Sequence, residues 1–290
     1  DMHPVLEQIE PDGNFPTVAF PNPEEKGAMD LVLAKARQVS ADIVIAQDPD
    51  ADRLAVAVNQ DGNYVQLTGD QVGLILAEEI AKTKSTGSLA SSIVSCSAMT
   101  EVAKHYGLKY QTTLTGFKWI SKVEGLVFGY EEALGYCIDP EHVADKDGIS
   151  SALLIVKIAA RELAAGRTLL DLLEQLGNRY GHFATGQISL RFDQISKIAA
   201  LIQAIRMNPP KLLLEKSVLF TDLSLGSSQL PPTDGLRLDL ADESRVIIRP
   251  SGTEPKLKCY LQVIGTSSAE AKEKLALLSK DVTEFLSNLS

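Results

Sequence analysis

The sequence predicts an α/β protein: successive mixed-sheet α/β domains followed by a smaller α+β C-terminal domain. Three observations lead there. Strand-like and helix-like runs alternate from the start to about residue 177, the pattern of parallel α/β units. After Gly177 the alternation gives way to strands of period two set among helices. The chain has 290 residues, more than one ordinary domain holds, so two or three are expected.

Each element has a local reason. Residues 24–39 read as a helix, opened by acidic side chains and closed by Lys35 and Arg37, as the helix dipole favours. Residues 42–46 and 54–58 are short apolar runs of buried-strand type, and Asp61-Gly62 after the second is a hairpin turn signal. Residues 69–82 predict a second helix, and 83–88 (TKSTGS) a linker. Strands are expected at 92–96, 109–113 and 127–130. Helices are expected at 100–106, stopped by Gly107, at 149–165, closed by Gly166, and at 169–176. Beyond Gly177, strands are expected at 187–192, 246–249 and 256–263, with helices at 195–207 and 269–286. Pro209-Pro210 and Pro231-Pro232 mark loops.

Composition narrows the function. Apolar residues make up 44% and charged residues 23%, the balance of a globular chain with sizeable cores. The net charge of −10 disfavours nucleic acid and anionic membranes as partners, while leaving room for a local basic pocket. Cys96, Cys137 and Cys259 are widely spaced and form no CxxC pair, so reduced thiols and a cytoplasmic location are expected. No apolar run approaches the roughly 18 residues of a membrane span, and no signal peptide is visible. The chain opens on what reads as a connection to a strand, so a piece of a longer product is expected.

The sharpest local feature is Asp48-Pro49-Asp50-Ala51-Asp52-Arg53, between two strand runs. Ligand sites of α/β folds lie at such strand ends. Carboxylates this close repel one another, and a hard divalent cation with oxygen ligands relieves the repulsion. Arg53 would reach a phosphate or brace one carboxylate. A calcium EF-hand fits poorly, because Arg53 and Asn59 stand where that loop needs Gly and Glu, and strands flank it. A solvated turn without metal is the bland alternative.

A second loop, Arg249-Pro250-Ser251-Gly252-Thr253-Glu254-Pro255-Lys256, follows a strand run. Arginine binds phosphate in bidentate fashion, and successive backbone N–H groups near a glycine form an anion nest. The loop is no Walker motif; an ordinary charged turn is the competing reading. Between the two loops, Glu131 and Glu132 end a strand and offer acceptors for sugar hydroxyls. Lys118 and Lys146 each stand in a further turn. Singly these are weak signals, since exposed Lys and Glu are usually solvated surface. His105, His142 and His182 show no metal-ligand spacing, and His142 lies nearest the Lys146 turn.

Taken in order, these segments resemble the α-D-phosphohexomutases, over nearly the whole chain. DPDADR (48–53) is similar to that family's metal loop, FGYEEALG (128–135) to its sugar-recognition loop and RPSGTEPK (249–256) to its phosphate-binding loop. TLTGFKW (113–119) and DKDG (145–148) are similar to two further cleft segments. The resemblance implies that residues 1–86 are most of a second domain, 87–178 a third and 179–290 a fourth. It also implies a missing first domain, with the phosphoserine loop that no motif in these 290 residues matches.

The implied activity is a double phosphoryl transfer between a phosphorylated sugar and an enzyme phosphoserine, through a sugar bisphosphate intermediate. Asp48, Asp50 and Asp52 would hold Mg²⁺, steadied by Arg53. Arg249, Ser251, Gly252, Thr253 and Lys256 would grip the non-reacting phosphate, Glu131 and Glu132 the sugar hydroxyls. Lys118 and Lys146 would supply positive charge, with a proton-transfer role open for Lys146. Ala133 departs from the serine of many hexose-specific members and resembles the branch with phosphopentomutases and glucose-1,6-bisphosphate synthases, which leaves the sugar open. Two rivals stand beside the mutase: a non-catalytic phosphosugar-binding module, and a metal-dependent phosphatase or sugar transferase.

Overall fold

Ile43–Gln47 (β1) and Leu54–Gln60 (β2) pair antiparallel from Ile43↔Val58 to Gln47↔Leu54, so residues 48–53 close the turn between them. β2 then turns at Asp61 and Gly62, both at positive φ, into Asn63–Gln66 (β3). This is the hairpin that the Asp-Gly pair predicts. In this computed structural model residues 1–251 and 255–289 are described. The chain divides into two compact units, Asp1–Leu173 and Glu174–Ser290.

The first unit begins with the short helix Leu6–Ile9 (α1) and the helix Asp30–Val39 (α2), which packs on β1. α2 starts later than the sequence predicts, because residues 24–29 are spent in turns. The three-stranded sheet β1-β2-β3 is wholly antiparallel. The parallel units expected from strand–helix alternation appear only in the next sheet. That sheet comprises Ser88–Ser92 (β4), Lys109–Thr113 (β5), Leu126–Glu131 (β6) and Gly135–Cys137 (β7), in the order β5-β4-β6-β7. β4 is parallel to β5 and β6, and β7 turns back antiparallel on β6.

Helices cover this sheet. Gly69–Ala81 (α3) packs on β6, Ala98–Tyr106 (α4) on β4 and β5, and the single-turn Phe117–Ile120 (α5) on β6. Gly148–Ala164 (α6) touches α3, β1, β2 and β7, and Leu169–Tyr180 (α7) follows it. α3 begins on a full capping box, Thr68 with Gln71.

One strand is displaced from its expected place. The sequence predicts residues 92–96, yet the strand is Ser88–Ser92, and 93–97 turn toward α4. Ser88 reads as the end of the linker and Ser92 as the start of the strand, but the fold satisfies the hydroxyls of the strand itself. Ser88 Oγ donates to the Glu124 carbonyl at 2.7 Å, and Ser91 Oγ lies 2.8 Å from the Tyr110 hydroxyl. All five β4 residues are buried.

The second unit is a six-stranded antiparallel sheet in the order β8-β13-β12-β11-β10-β9. The strands are His182–Arg191 (β8), Leu212–Leu213 (β9), Lys216–Asp222 (β10), Leu236–Leu240 (β11), Arg245–Pro250 (β12) and Lys256–Gly265 (β13). Ile195–Met207 (α8) and Ser268–Ser287 (α9) pack against it. Its core joins Ile198, Ile202 and Ile205 of α8 with Leu238, Ile248 and Leu261 of the sheet and Leu278 and Val282 of α9. β9, β10 and β11 have no counterpart in the sequence reading. β10 alternates exposed and half-buried residues without a clean apolar face, so its periodicity is weak.

Candidate functional site

The β1–β2 connection brings its three aspartates together. Carboxylate oxygens of Asp48, Asp50 and Asp52 all lie within 4.8 Å of one another. The turn is held locally: the Ala51 N–H donates to the Asp48 carbonyl at 3.0 Å, and Ala51 takes a positive φ of 55°. A left-handed alanine costs roughly 1–2 kcal/mol, strain of a kind that collects at functional turns.

Two cations answer two of the three carboxylates. Arg53 donates from its backbone N–H to Asp48 Oδ1 at 3.1 Å and from Nε to Asp48 Oδ2 at 2.6 Å. Lys146 Nζ lies 2.9 Å from Asp52 Oδ2. Asp50 is exposed, and no ion pair among the described residues includes it. Burial raises the Asp48 pKa, but the hydrogen bonds and charge of Arg53 outweigh it and hold the group below its ordinary value. At Asp52 the balance reverses. Burial, helped by the charges of Asp48 and Asp50, raises its pKa despite Lys146. Burial pulls the Lys146 pKa down, yet Asp52, Asp145 and Glu131 raise it on balance, so the ammonium stays charged.

This donor set fits a hard divalent cation: only oxygen ligands, an excess of negative charge, and one exposed carboxylate facing solvent. The histidines do not join it. His142 is exposed and pairs with Asp139 at 2.8 Å. His105 stacks edge-on to Tyr106, and His182 lies within hydrogen-bonding distance of Ser268 and Asn178. The cysteines are buried free thiols, with Cys137 and Cys259 pushed up to about 12 by burial.

The DKDG turn is what carries Lys146 to the acidic loop. Asp145 Oδ1 accepts from the Lys146 backbone N–H at 2.7 Å. Asp147 caps α6 by accepting from the N–H groups of Ile149 and Ser150. Gly148 donates its N–H to the Ala51 carbonyl at 3.1 Å. A Cβ on Gly148 would stand 2.5 Å from the Arg53 carbonyl oxygen and 2.6 Å from that of Ala51. Only glycine permits this approach. The cap and the close approach both leave a sequence signal in Asp-Gly before an apolar helix, read here only as a lysine-bearing turn.

Two more segments meet at the same place. Lys146 Nζ sits 5.4 Å from the centre of the Phe117 ring. One residue earlier, the Gly116 N–H donates to Glu131 Oε1 at 2.6 Å. The acidic loop, the DKDG turn, the TGFKW turn and the end of β6 therefore form one connected cluster within the first unit. Lys118 is exposed on α5, and its Nζ and that of Lys122 each lie 5.9 Å from the Trp119 ring. Glu132 points elsewhere: its carboxylate accepts from the hydroxyls of Ser92 and Ser95.

The loop at 249–256, where the sequence predicts phosphate binding, belongs to the second unit. Arg249 is half-buried in β12 opposite Lys258, and Ser251 donates its N–H to the Lys256 carbonyl at 2.8 Å. Lys256 opens β13 and is only 7% exposed. Gly252 and Thr253 lie outside the described residues.

Comparison with known proteins gives a consistent result. Residues 1–62, 68–180 and 196–278 match, in turn, the family profiles described as phosphoglucomutase/phosphomannomutase alpha/beta/alpha domain II, alpha/beta/alpha domain III and C-terminal domain. A relative from Haemophilus influenzae named "Probable phosphomannomutase" is 45% identical, over 98% of this chain and 59% of that protein. One from Schizosaccharomyces pombe named "Probable phosphoribomutase" is 34% identical, over 92% of this chain and 51% of that protein. The chain thus spans between half and three fifths of the length of these relatives. Among solved structures, the open form of the phosphoglucomutase pp63/parafusin from Paramecium superposes with a TM-score of 0.73 at 20% identity. The match covers 93% of this chain and 50% of that one, and the likeness is one of fold.

Proposed function

Because the chain belongs to the phosphoglucomutase/phosphomannomutase family, we propose that it is the part of a sugar-phosphate mutase that binds metal and substrate. Its domains would fall at residues 1–86, 87–178 and 179–290. The covalent phosphate carrier, a phosphoserine, would come from a part of the protein outside these 290 residues. The proposed reaction moves a phosphoryl group between the 1- and 6-positions of a hexose, or the 1- and 5-positions of a pentose. The serine P–O bond breaks as a new P–O bond forms to a sugar hydroxyl, whose proton leaves to a base. After the sugar reorients, the steps reverse at the other position.

The observation that carries this reading is the clustering of Asp48, Asp50 and Asp52 beside Arg53 and Lys146. We assign these aspartates to Mg²⁺, which when bound neutralises charge on the transferring phosphoryl group. Arg53 holds Asp48 ionised and oriented. Lys146, kept charged by Asp52, supplies positive potential near the phosphate and is poorly suited to act as a base in this arrangement. Glu131, oriented by the Gly116 N–H, is assigned to sugar hydroxyls. Arg249, Ser251, Gly252, Thr253 and Lys256 are assigned to the non-reacting phosphate, and Lys118 to a supporting charge. A cytoplasmic location and the absence of nucleic-acid and membrane partners go with this reading. No helix among the described residues is long and apolar enough to cross a membrane.

Two measurements test it. Calorimetric titration of the chain with Mg²⁺ should show binding that Asp50→Ala weakens at least tenfold; equal affinity in both sinks the metal assignment. The full-length protein should interconvert glucose 1-phosphate and glucose 6-phosphate or the corresponding pentose phosphates, while the 290-residue chain alone should not turn over. Sustained turnover by the chain alone contradicts the assignment of the carrier.

A further inference from the structure

Adjacent carboxylates at the end of β6 have separate jobs in the geometry. Glu131 Oε1 takes the Gly116 N–H and stays with the site cluster. Glu132 is fastened to a different wall. Its Oε2 accepts from Ser92 Oγ at 3.1 Å and from Ser95 Oγ at 3.0 Å. Its own backbone N–H donates to Ser95 Oγ at 3.1 Å, and the two serine hydroxyls lie 2.8 Å apart. Ser92 and Ser95 are both about 1% exposed.

The loop carrying Glu132 is pressed onto α3 as well. A Cβ on Gly69, the first residue of that helix, would collide with the Glu132 carbonyl oxygen. Next along α3, Asp70 takes the Tyr130 hydroxyl at 2.8 Å and the Cys96 N–H at 2.7 Å on one oxygen. Beyond the loop, Leu134 at φ 66° accepts the Leu54 N–H, the first of β2 after the acidic turn, at 3.0 Å. The recognition loop is thus pinned to the β4–α4 turn at one point and to the start of β2 at another.

We infer that Glu132 is a positioning residue: gripped by Ser92 and Ser95, it fixes the loop so that Glu131 faces the sugar, and it does not itself touch substrate. This rests on the mutase reading for what Glu131 binds, though the grip itself does not. Glu132 is half-buried, and its carboxylate is turned to the two serines; desolvation there raises its pKa to about 7, with Asp70 and Glu131 adding to the effect. A carboxyl exposed to a polyol in water would have no such push.

The test uses full-length protein with Glu132→Ala, Glu132→Gln, Ser95→Ala and the double Glu132→Ala/Ser95→Ala variant. A glutamine carbonyl accepts the same two hydroxyl bonds in the same volume. Glu132→Ala is expected to raise KM for the sugar 1-phosphate at least tenfold with a smaller change in kcat, and Glu132→Gln to recover most of that loss. Ser95→Ala should raise KM in the same direction, and the double variant should be no worse than about twofold beyond the more damaging single change. Equal loss in Glu132→Gln and Glu132→Ala overturns the proposal, because the charge itself would then be needed. So does a wild-type KM in Ser95→Ala beside an impaired Glu132→Ala. An arm free of turnover separates this from the mutase reading: hydrogen exchange of the 130–136 backbone in the 290-residue chain. Faster exchange in Glu132→Ala and Ser95→Ala but not in Glu132→Gln supports the grip even if wild type shows no mutase activity. Unchanged exchange in all three overturns it.

Discussion

In the acidic loop Arg53 pairs with Asp48 and Lys146 with Asp52, while Asp50 stands at the surface. The same residue-by-residue sorting separates Glu131 from Glu132, and it has a pH consequence. The folded-state pKa of Glu132 is raised by burial, then by Asp70 and Glu131, from 4.5 to about 7. The folded chain therefore binds this proton more tightly than the unfolded chain. Its contribution favours folding below pH 4.5 and is lost as pH rises through 7, an effect on the order of 3 kcal/mol. Melting temperatures at pH 5 and pH 8 should differ more in wild type than in Glu132→Gln; parallel profiles would remove Glu132 as the cause. At the neighbouring position, Ala133 has no hydroxyl to offer a sugar. Ala133→Ser in the full-length protein should shift the ratio of kcat/KM values toward hexose over pentose by roughly 2- to 10-fold, about one hydrogen bond. Parallel assays with glucose 1-phosphate and ribose 1-phosphate read that ratio directly, and an unmoved ratio rules position 133 out of sugar selection.

At the scale of elements, the start of α6 controls the acidic turn. Asp147 caps the helix, Lys146 leaves it toward Asp52, and Gly148 lies against the backbone of residues 51 and 53. Gly148→Ala forces a methyl within 2.6 Å of two carbonyl oxygens, which backbone movement must relieve. The expected loss is roughly 1–3 kcal/mol, the scale of overpacking, together with weaker metal binding because the turn shifts. Gly13→Ala serves as the comparison, since nothing lies within 4 Å of its added methyl and its φ is unstrained. Denaturant unfolding and metal titration of both variants check the claim, and a Gly148→Ala protein matching Gly13→Ala in both would defeat it.

On the scale of the whole molecule, the second unit has a core of its own: α8 and α9 bury apolar residues on an antiparallel sheet, and every named member of that cluster lies beyond residue 174. The second half of α7 belongs with it, since Glu174 accepts from Ser268 Oγ at 2.6 Å and His182 sits 3.1 Å from the same hydroxyl. Residues 174–290 produced alone should therefore give a mixed helix–strand circular dichroism spectrum and one cooperative thermal transition. A spectrum of disordered chain, or melting without a cooperative step, would mean that this core depends on the first unit.

The sequence by itself determined the family and pointed to a chemistry for each loop. Asp48, Asp50, Asp52 and Arg53, the Lys146 turn and the end of β6 carry side chains whose type and order are informative before any fold is known. The Asp61-Gly62 hairpin and helices such as Ile195–Met207 were equally legible, because turn dipeptides and apolar spacing act over a few residues. Tertiary structure alone decided which carboxylate meets which cation, and that Glu132 turns from its neighbour toward Ser92 and Ser95. It also decided that a serine-rich stretch, Ser88–Ser92, is a central strand while the more apolar 93–96 is a turn. The physical reason is range. Periodicity reports which side of an element is apolar, but a buried hydroxyl or carboxylate is stable only if a distant segment supplies its partner. Tyr110, Glu124 and Glu132 supply those partners for β4 and the turn after it, 19, 36 and 40 residues along the chain.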